Sequence, residues 1–228
     1  MILRTTTLAA SLTLACGAAF AQGFTGAELS GQALAFSETN DIGQTAYRAA
    51  AEFGITRGIG VAADLGYYGF PVLGSNETSL GLHGVYGLNN DLALGMFYTR
   101  DSLDGGSVDS YGIEGATSVV GAQVEGYFGM IDGLTGGNAM FGVSGSYDIT
   151  PAISATAGFG AISGDNSRNR ASIGGQYQIS GGPAVFAELG RLTEAGDSSG
   201  FLSLGASIAI GPQGGTTFGS RSIYDILR

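Results

Sequence analysis

Residues that could carry out chemistry are few in this chain, and most of them are carboxylates. Nineteen Asp and Glu stand against nine basic residues, all of them arginines, with one histidine and one cysteine among 228 residues. Any Ser-His catalytic pair would have to use His83, but a His-x-Ser pair on one strand would need a serine where Val85 stands. One histidine and one cysteine also provide no ligand cluster for zinc. We therefore expect no catalytic residues, no metal site and no cofactor.

The N-terminal residues are typical of an export signal that is later removed. Arg4 precedes an apolar run over 8–20, and Ala19-Phe20-Ala21 fits a small-x-small cleavage site, so 1–21 is predicted to be a signal peptide. Cys16 could alternatively be a lipoprotein cysteine, although the residues before it form a poor lipobox. Loss of Arg4 leaves eight arginines against nineteen carboxylates, a net charge of −11. This acidity argues against nucleic acid as a partner.

Twelve stretches of the mature chain alternate apolar and polar residues with a period of two, and these elements must position any functional side chain. The gaps between them alternate long and short, which predicts an all-β fold, an antiparallel transmembrane β-barrel over 22–210 with both chain ends on the short-turn side. The predicted strands are 27–36, 46–56, 59–69, 78–88, 91–100, 108–117, 119–128, 138–149, 152–161, 169–179, 184–192 and 200–210. Longer, solvated loops are predicted near 37–45, 70–77, 101–107, 129–137, 162–168 and 193–199.

One face of each predicted strand is apolar, and its aromatic residues fall near the strand ends. Val61 and Leu65, for example, alternate with Ala62 and Asp64. Aromatic residues in the outward phase fall toward the long-loop ends at Tyr47, Tyr67, Tyr98, Tyr111, Phe128, Phe141 and Phe159, and toward the short-turn ends at Tyr86, Tyr147 and Tyr177. Two aromatic girdles with aliphatic residues between them suit a bilayer, so lipid is predicted to cover this face.

Units of strand, tight turn and strand recur, as in the segments 85–95 and 147–155. In these units the chain resembles the Gram-negative outer-membrane β-barrel and porin superfamily, and the resemblance covers essentially all of the mature region. The resemblance implies a location in the cell outer membrane and passive diffusion of small solutes. Such barrels usually end in a strand that closes with a C-terminal aromatic, whereas here the last predicted strand ends near Ile210. We expect the tail 211–228 to lie in the periplasm, with 223–227 forming a short helix or a docking segment.

The inward-facing residues decide whether the predicted barrel conducts. Twelve tilted strands give a backbone diameter of roughly 24 Å, which the mostly small inward residues, Gly, Ala, Ser and Thr, do not fill. No long internal loop or N-terminal domain is visible to block the lumen, so a water-filled lumen is expected, although opposite glycine-rich walls could also touch in a collapsed barrel. The residues predicted to line the pore are Glu52, Asp64, His83, Glu114, Gln123, Glu125, Arg170, Gln176 and Glu188.

This pore lining is mainly acidic, which favours a porin-like channel for small hydrophilic solutes with a mild preference for cations. The same carboxylates could instead solvate the interior or pair with Arg48 and Arg170. A non-conducting outer-membrane barrel with a structural or surface-binding role is the alternative function, and a barrel enzyme acting on lipid is a third. The predicted partners are outer-membrane lipid and small solutes or ions, and the sequence leaves open whether further copies of the chain pack through an apolar wall.

Overall fold

The computed structural model describes residues 23–37, 42–89, 91–103, 105–133, 138–164, 167–194 and 196–226. The predicted signal peptide lies outside the described residues. Twelve strands follow one another: β1 Phe24–Phe36, β2 Ile42–Thr56, β3 Ile59–Phe70, β4 Ser75–Gly87, β5 Leu92–Leu103, β6 Gly106–Val119, β7 Ala122–Asp132, β8 Asn138–Thr150, β9 Ile153–Ile162, β10 Arg168–Gln178, β11 Ala184–Glu194 and β12 Asp197–Ile210. Among the described residues, no helix is long and apolar enough to cross a membrane.

The strands form one closed antiparallel barrel, which confirms the predicted fold class and strand number. Each strand pairs with its sequence neighbours, and β1 pairs with β12 from Ala27 opposite Ile210 to Phe36 opposite Phe201. Closure leaves no unpaired edge among the twelve described strands, as a membrane-spanning sheet requires. Because β1 begins and β12 ends at the same end of the barrel, we call that end proximal and the opposite end distal.

The connections at the two ends differ less in length than the sequence suggests. At the distal end, β3 and β4 are joined by 71–74 alone, whereas at the proximal end β10 and β11 are joined by 179–183. The predicted long loops near 37–45 and 101–107 are wrong in extent, because the strands continue through polar residues of the inward phase. Gln44 and Asp101 belong to those strand extensions, and both are buried inside the barrel.

The outer surface carries the predicted apolar rows. Leu94 is 48% exposed and Ile173 at the middle of β10 is 69% exposed, and the same is true of large apolar residues around the whole barrel. Both predicted aromatic girdles lie on this surface: their members Tyr47, Tyr67, Tyr98, Tyr111, Phe128, Phe141, Phe159, Tyr86, Tyr147 and Tyr177 are all exposed. An apolar belt of this extent cannot face water and is the surface of a membrane-spanning barrel.

The interior differs between the two halves of the barrel. Small inward residues such as Gly95 and Ser144 occupy the proximal half, as predicted, but large apolar residues fill the distal half. This distal core consists of Ala46, Tyr68, Phe70, Phe97, Val108, Ile131, Met140 and Ile162 from the strands, together with Ile223, Tyr224 and Ile226 from the chain after β12. The expectation of a water-filled lumen along the whole barrel is therefore wrong for the distal half.

Candidate functional site

The chain after β12 turns back into the barrel instead of leaving it. Gly211 has a φ of +99°, and the N–H of Gly214 donates to its carbonyl at 3.1 Å, which makes a tight turn at the proximal mouth. The N–H of Gln213 then donates to the carbonyl of Thr25 on β1 at 3.0 Å. We call residues 211–226 the C-terminal segment. Its predicted position in the periplasm is wrong, because its contacts lie inside the barrel.

The first half of the C-terminal segment is bound by wall carboxylates in the proximal half. Glu52 accepts from the Thr217 N–H at 2.7 Å and from the Thr217 hydroxyl at 3.0 Å. Glu125 accepts from the Gly219 N–H at 3.0 Å. Hydrogen bonds from backbone N–H groups to ionised carboxylates are among the stronger ones in proteins, so these two glutamates hold a stretch that has no regular secondary structure of its own.

The second half is anchored at the distal end. Asp101 accepts from the Ser222 hydroxyl at 2.7 Å and from the Ile223 N–H at 3.0 Å, and a short 3-10 helix follows over Ile223–Asp225. The Tyr224 hydroxyl donates to the carbonyl of Ser102. These bonds satisfy polar groups that the segment buries among apolar side chains.

Asp225 completes the distal anchor with a second set of charges. It forms an ion pair with Arg48 and accepts from the Tyr68 hydroxyl at 3.2 Å. Arg170 donates to the Asp225 carbonyl at 3.1 Å and also pairs with Glu188 at 3.1 Å. Arg48 and Arg170 therefore bind the segment as well as the wall.

Apolar packing holds the segment at the same time. Phe218, Ile223, Tyr224 and Ile226 are all buried, and the Tyr224 ring centroid lies 5.1 Å from that of Tyr68. Glycines in the wall make the room: a Cβ on Gly95 would lie 2.5 Å from the Phe218 ring, and one on Gly160 would lie 3.1 Å from Cγ1 of Ile226. Larger residues at these wall positions would collide with the segment.

Five charged groups of alternating sign connect the wall with the segment in the proximal half, four of them on the strands and one on the segment. His83 Nε2 lies 2.9 Å from Asp64 Oδ2, and His83 Nδ1 lies 2.7 Å from Glu114 Oε1. The other oxygen of Glu114 accepts from Arg221 Nε at 2.8 Å, and Arg221 also pairs with Glu125. We call Asp64, His83, Glu114, Arg221 and Glu125 the charge chain.

The charge chain neutralises most of its own charge despite deep burial. His83 can serve two carboxylates as a doubly protonated imidazolium that donates from both nitrogens. The guanidinium of an arginine stays protonated in proteins, and that of Arg221 is paired with both Glu114 and Glu125. Arg221 is therefore a permanent cation at the centre of the barrel.

A cavity of about 1400 Å³ opens at the proximal mouth and ends at the C-terminal segment. We call it the vestibule. Its wall includes Glu28, Glu52, Glu125, Glu188, Gln123 and Gln176, and the segment contributes Thr216 and Thr217 to it. The vestibule is wide and polar, and the distal core closes it from the other side.

All nine residues predicted to line a pore belong to the inward phase of their strands, but they do not share one environment. Glu52, Gln123, Glu125, Gln176 and Glu188 line the vestibule. Asp64, His83 and Glu114 are buried in the charge chain, and Arg170 lies closer to the distal end, against Asp225. Asp101, Phe218, Arg221 and Asp225 also belong to this site and were not predicted from the sequence. One feature of the sequence could have pointed to Arg221: carboxylates outnumber arginines among the inward-facing strand residues, so a cation from outside the strands is needed to balance them.

Comparisons with known proteins rest on structure alone. No protein-family model matches the sequence, and a search of the curated proteins found no match. Three solved structures with the same fold are the KdgM porin in complex with disordered oligogalacturonate, the CymD monoaromatic hydrocarbon channel and the COG4313 outer membrane channel from Pseudomonas putida F1.

The likeness to these structures covers most of each chain at low sequence identity. For the KdgM porin the TM-score is 0.60 at 10% identity, with 79% of this chain and 97% of that chain covered. For CymD the TM-score is 0.57 at 9% identity, with 84% of this chain and 90% of that chain covered. For the COG4313 channel the TM-score is 0.54 at 12% identity, with 83% of this chain and 96% of that chain covered. At such identity the likeness establishes architecture and not function. This chain has the fold of an outer-membrane β-barrel.

Proposed function

We propose that the protein is a porin-like channel of the cell outer membrane that passes small hydrophilic solutes, with a preference for cations, when its C-terminal segment leaves the lumen. The observation that carries the proposal is the vestibule of about 1400 Å³, a polar passage that runs from the proximal mouth to the segment and no further. Among the described residues, the segment and the side chains packed around it separate this passage from the distal face.

The preference for cations follows from the charges on the passage wall. Glu28, Glu52, Glu125 and Glu188 line the vestibule, and Arg57 at the mouth is the basic residue among its described lining. A low-dielectric barrel wall focuses the field of such carboxylates along the passage and raises the local concentration of cations. The KdgM porin was solved with an oligogalacturonate, a polyacid, and the wall described here suits solutes of the opposite sign.

The environment of His83 supports a channel rather than an enzyme. Both of its ring nitrogens face carboxylate oxygens, at 2.7 and 2.9 Å. An imidazole bound on both sides has no free nitrogen with which to accept the proton of a serine. We propose that the protein has no catalytic activity. If the purified protein shows any hydrolysis of lipid, replacement of His83 should leave that hydrolysis unchanged.

A non-conducting barrel is the second candidate, and the distal core favours it. Phe97, Val108, Ile131 and Met140 pack together with the segment, so opening requires the loss of real apolar contacts. A non-conducting barrel would have a structural or surface-binding role, and its C-terminal segment would be a permanent part of the interior.

A disulfide that can be opened and closed separates the two candidates. With a carbon–carbon bond of about 1.5 Å, the Cβ atoms of a G160C/I226C pair lie within about 4.6 Å of each other, since Cγ1 of Ile226 is 3.1 Å from the Cβ position of Gly160. A disulfide spans that distance. The mature chain has no other cysteine, because Cys16 precedes the predicted cleavage site.

The measurement is planar-bilayer conductance of the oxidised protein, before and after addition of a reductant. We expect few or no openings while the disulfide holds the segment and frequent openings after reduction, with a variant ending at Ile210 open throughout. Silence in all three states would establish the non-conducting barrel. Equal conductance before and after reduction would show that ions do not use the space that the segment occupies.

Selectivity is tested on the reduced, open protein in a salt gradient. We expect a reversal potential of cation-selective sign that moves toward zero in an E52Q/E188Q variant, because these two carboxylates line the vestibule on opposite sides of the β1–β12 closure. D109N is the matched control, since Asp109 pairs with Tyr98 on the outside of the barrel. An anion-selective sign would contradict the proposed preference.

A further inference from the structure

The Arg221 side chain occupies a built pocket and not merely a gap between strands. Its Nε donates to Glu114 Oε2 at 2.8 Å, a terminal nitrogen pairs with Glu125, and the other donates to the Ser220 carbonyl at 3.4 Å. The guanidinium carbon lies 4.5 Å from the ring centroid of Tyr127. Two carboxylates and an aromatic face are the partners that bind a planar organic cation.

The pocket is dry on one side and reached by solvent on the other. The Glu114 side chain is fully buried and is fixed from behind by His83, whereas the Glu125 side chain is 23% exposed and belongs to the vestibule wall. A small solute that enters at the proximal mouth therefore reaches this pocket as the end of its path.

Removal of Arg221 leaves the pocket short of one positive charge. His83 compensates one of Asp64 and Glu114, but Glu125 then faces the vestibule without its ion-pair partner. Glu114, whose side chain is fully buried, loses its bond to Arg221 at the same time, and a buried carboxylate that loses a partner destabilises the protein strongly. A free cation of suitable shape would restore the balance.

We propose that the pocket formed by Glu114, Glu125 and Tyr127 is a binding site for guanidinium-type organic cations, and that Arg221 is the internal ligand that fills it in the closed barrel. A planar guanidinium donates to both carboxylates while it stacks on the ring, whereas an alkali ion has no donors and gains less from the aromatic face. The part of this inference that concerns transport, namely that such cations are the favoured solutes, rests on the proposed channel function. Occupancy of the pocket does not.

Chemical rescue tests the site in the full mature chain. An Ile223→Cys substitution places a single thiol at a fully buried position of the C-terminal segment, so its rate of labelling by a maleimide reports release of the segment. In this background R221A is expected to raise the labelling rate about tenfold or more, because a buried ion pair has lost one partner. R191A, which removes an exposed arginine on the outer face of β11, is the matched control and should leave the rate unchanged.

Guanidinium chloride is then added to the R221A protein at about 10 mM, which fills most of a site whose Kd is about 1 mM. We expect the labelling rate to fall back severalfold toward that of the parent, with no such fall for urea, the neutral molecule of similar shape, or for sodium chloride at the same ionic strength. Addition of E125Q should abolish the effect of guanidinium. Equal effects of guanidinium, urea and sodium chloride would overturn the site.

The labelling assay and the conductance assay test the binding site and the channel function separately. A barrel that never conducts but whose segment is protected by guanidinium keeps the binding site and loses the channel. A barrel that conducts after reduction of the disulfide, yet shows no protection by guanidinium, keeps the channel and loses the site.

Discussion

At the scale of single residues, glycine positions in the wall determine where the C-terminal segment can lie. Gly95 lies against Phe218, and Gly160 lies against Ile226. These glycines face inward, so their benefit is space for the segment and not a special backbone conformation. Small inward residues in the sequence predict an empty lumen. The structure shows that some of them accommodate the segment instead.

Gly95→Leu is expected to displace Phe218 and loosen the segment. A Cβ at this position would lie 2.5 Å from the Phe218 ring and 2.8 Å from Cγ of Glu114, which binds Arg221 of the segment, and overpacking of this kind costs about 1–3 kcal/mol. Faster maleimide labelling of an I223C thiol and more frequent channel openings would follow. Gly84→Leu is the matched control, because Gly84 faces outward and has no atom within 4 Å of its Cβ position. Identical behaviour of the two variants would contradict the role given to Gly95.

At the scale of elements, the strands could be predicted because the bilayer imposes a period of two on every one of them. Val61, Leu94 and Ile208 belong to the outward phase that the structure confirms. The strand ends were harder to locate. Gln44 and Asp101 are polar residues at the distal end, where polarity normally marks a loop, but they are buried because they bind the C-terminal segment.

A matched pair on β10 tests which face the lipid covers. Ile173 lies on the outer face at the middle of the strand, and Gln176 on the same strand lines the vestibule. Ile173→Arg is expected to destabilise the barrel by about 2–4 kcal/mol, the cost of a cation near the bilayer midplane, whereas Gln176→Arg should cost far less. Urea unfolding from lipid vesicles measures both, and comparable losses of stability would show that lipid does not cover the Ile173 face.

The interior position of the C-terminal segment could not be predicted from the segment itself. Its residues are rich in glycine and show no periodicity, and the expectation of a short helix or a docking segment over 223–227 did not place that segment inside the barrel. The information lies in the partners: Glu114 and Glu125 on neighbouring strands share Arg221, and Arg48 with Arg170 meets Asp225. These pairs are separated by more than fifty residues, and only the closed barrel brings them together.

At the scale of the whole molecule, the segment can dock only after the barrel has formed. It contacts Thr25 on β1, Glu52 on β2, Asp101 on β5, Glu114 on β6 and Arg170 on β10. Contacts so distant in sequence form late in folding, because each requires the intervening loop to close first.

Refolding into lipid vesicles should therefore show two events. The band of the folded form in an unheated gel sample, which reports a closed barrel, is expected to appear before the I223C thiol becomes protected from maleimide. A chain ending at Ile210 should form that band at a similar rate. Protection of the thiol before or together with the band would mean that the segment takes part in forming the barrel.

The path of the segment has a practical consequence for handling the protein. Ile226, the last described residue, is packed in the distal core, at the end of the barrel opposite to the one where β12 ends. An affinity tag fused behind it would have to be threaded through the lumen or would keep the segment out. Material purified with such a tag would represent an altered form of the molecule, so a tag belongs between the predicted cleavage site and Phe24, because β1 begins at the proximal rim.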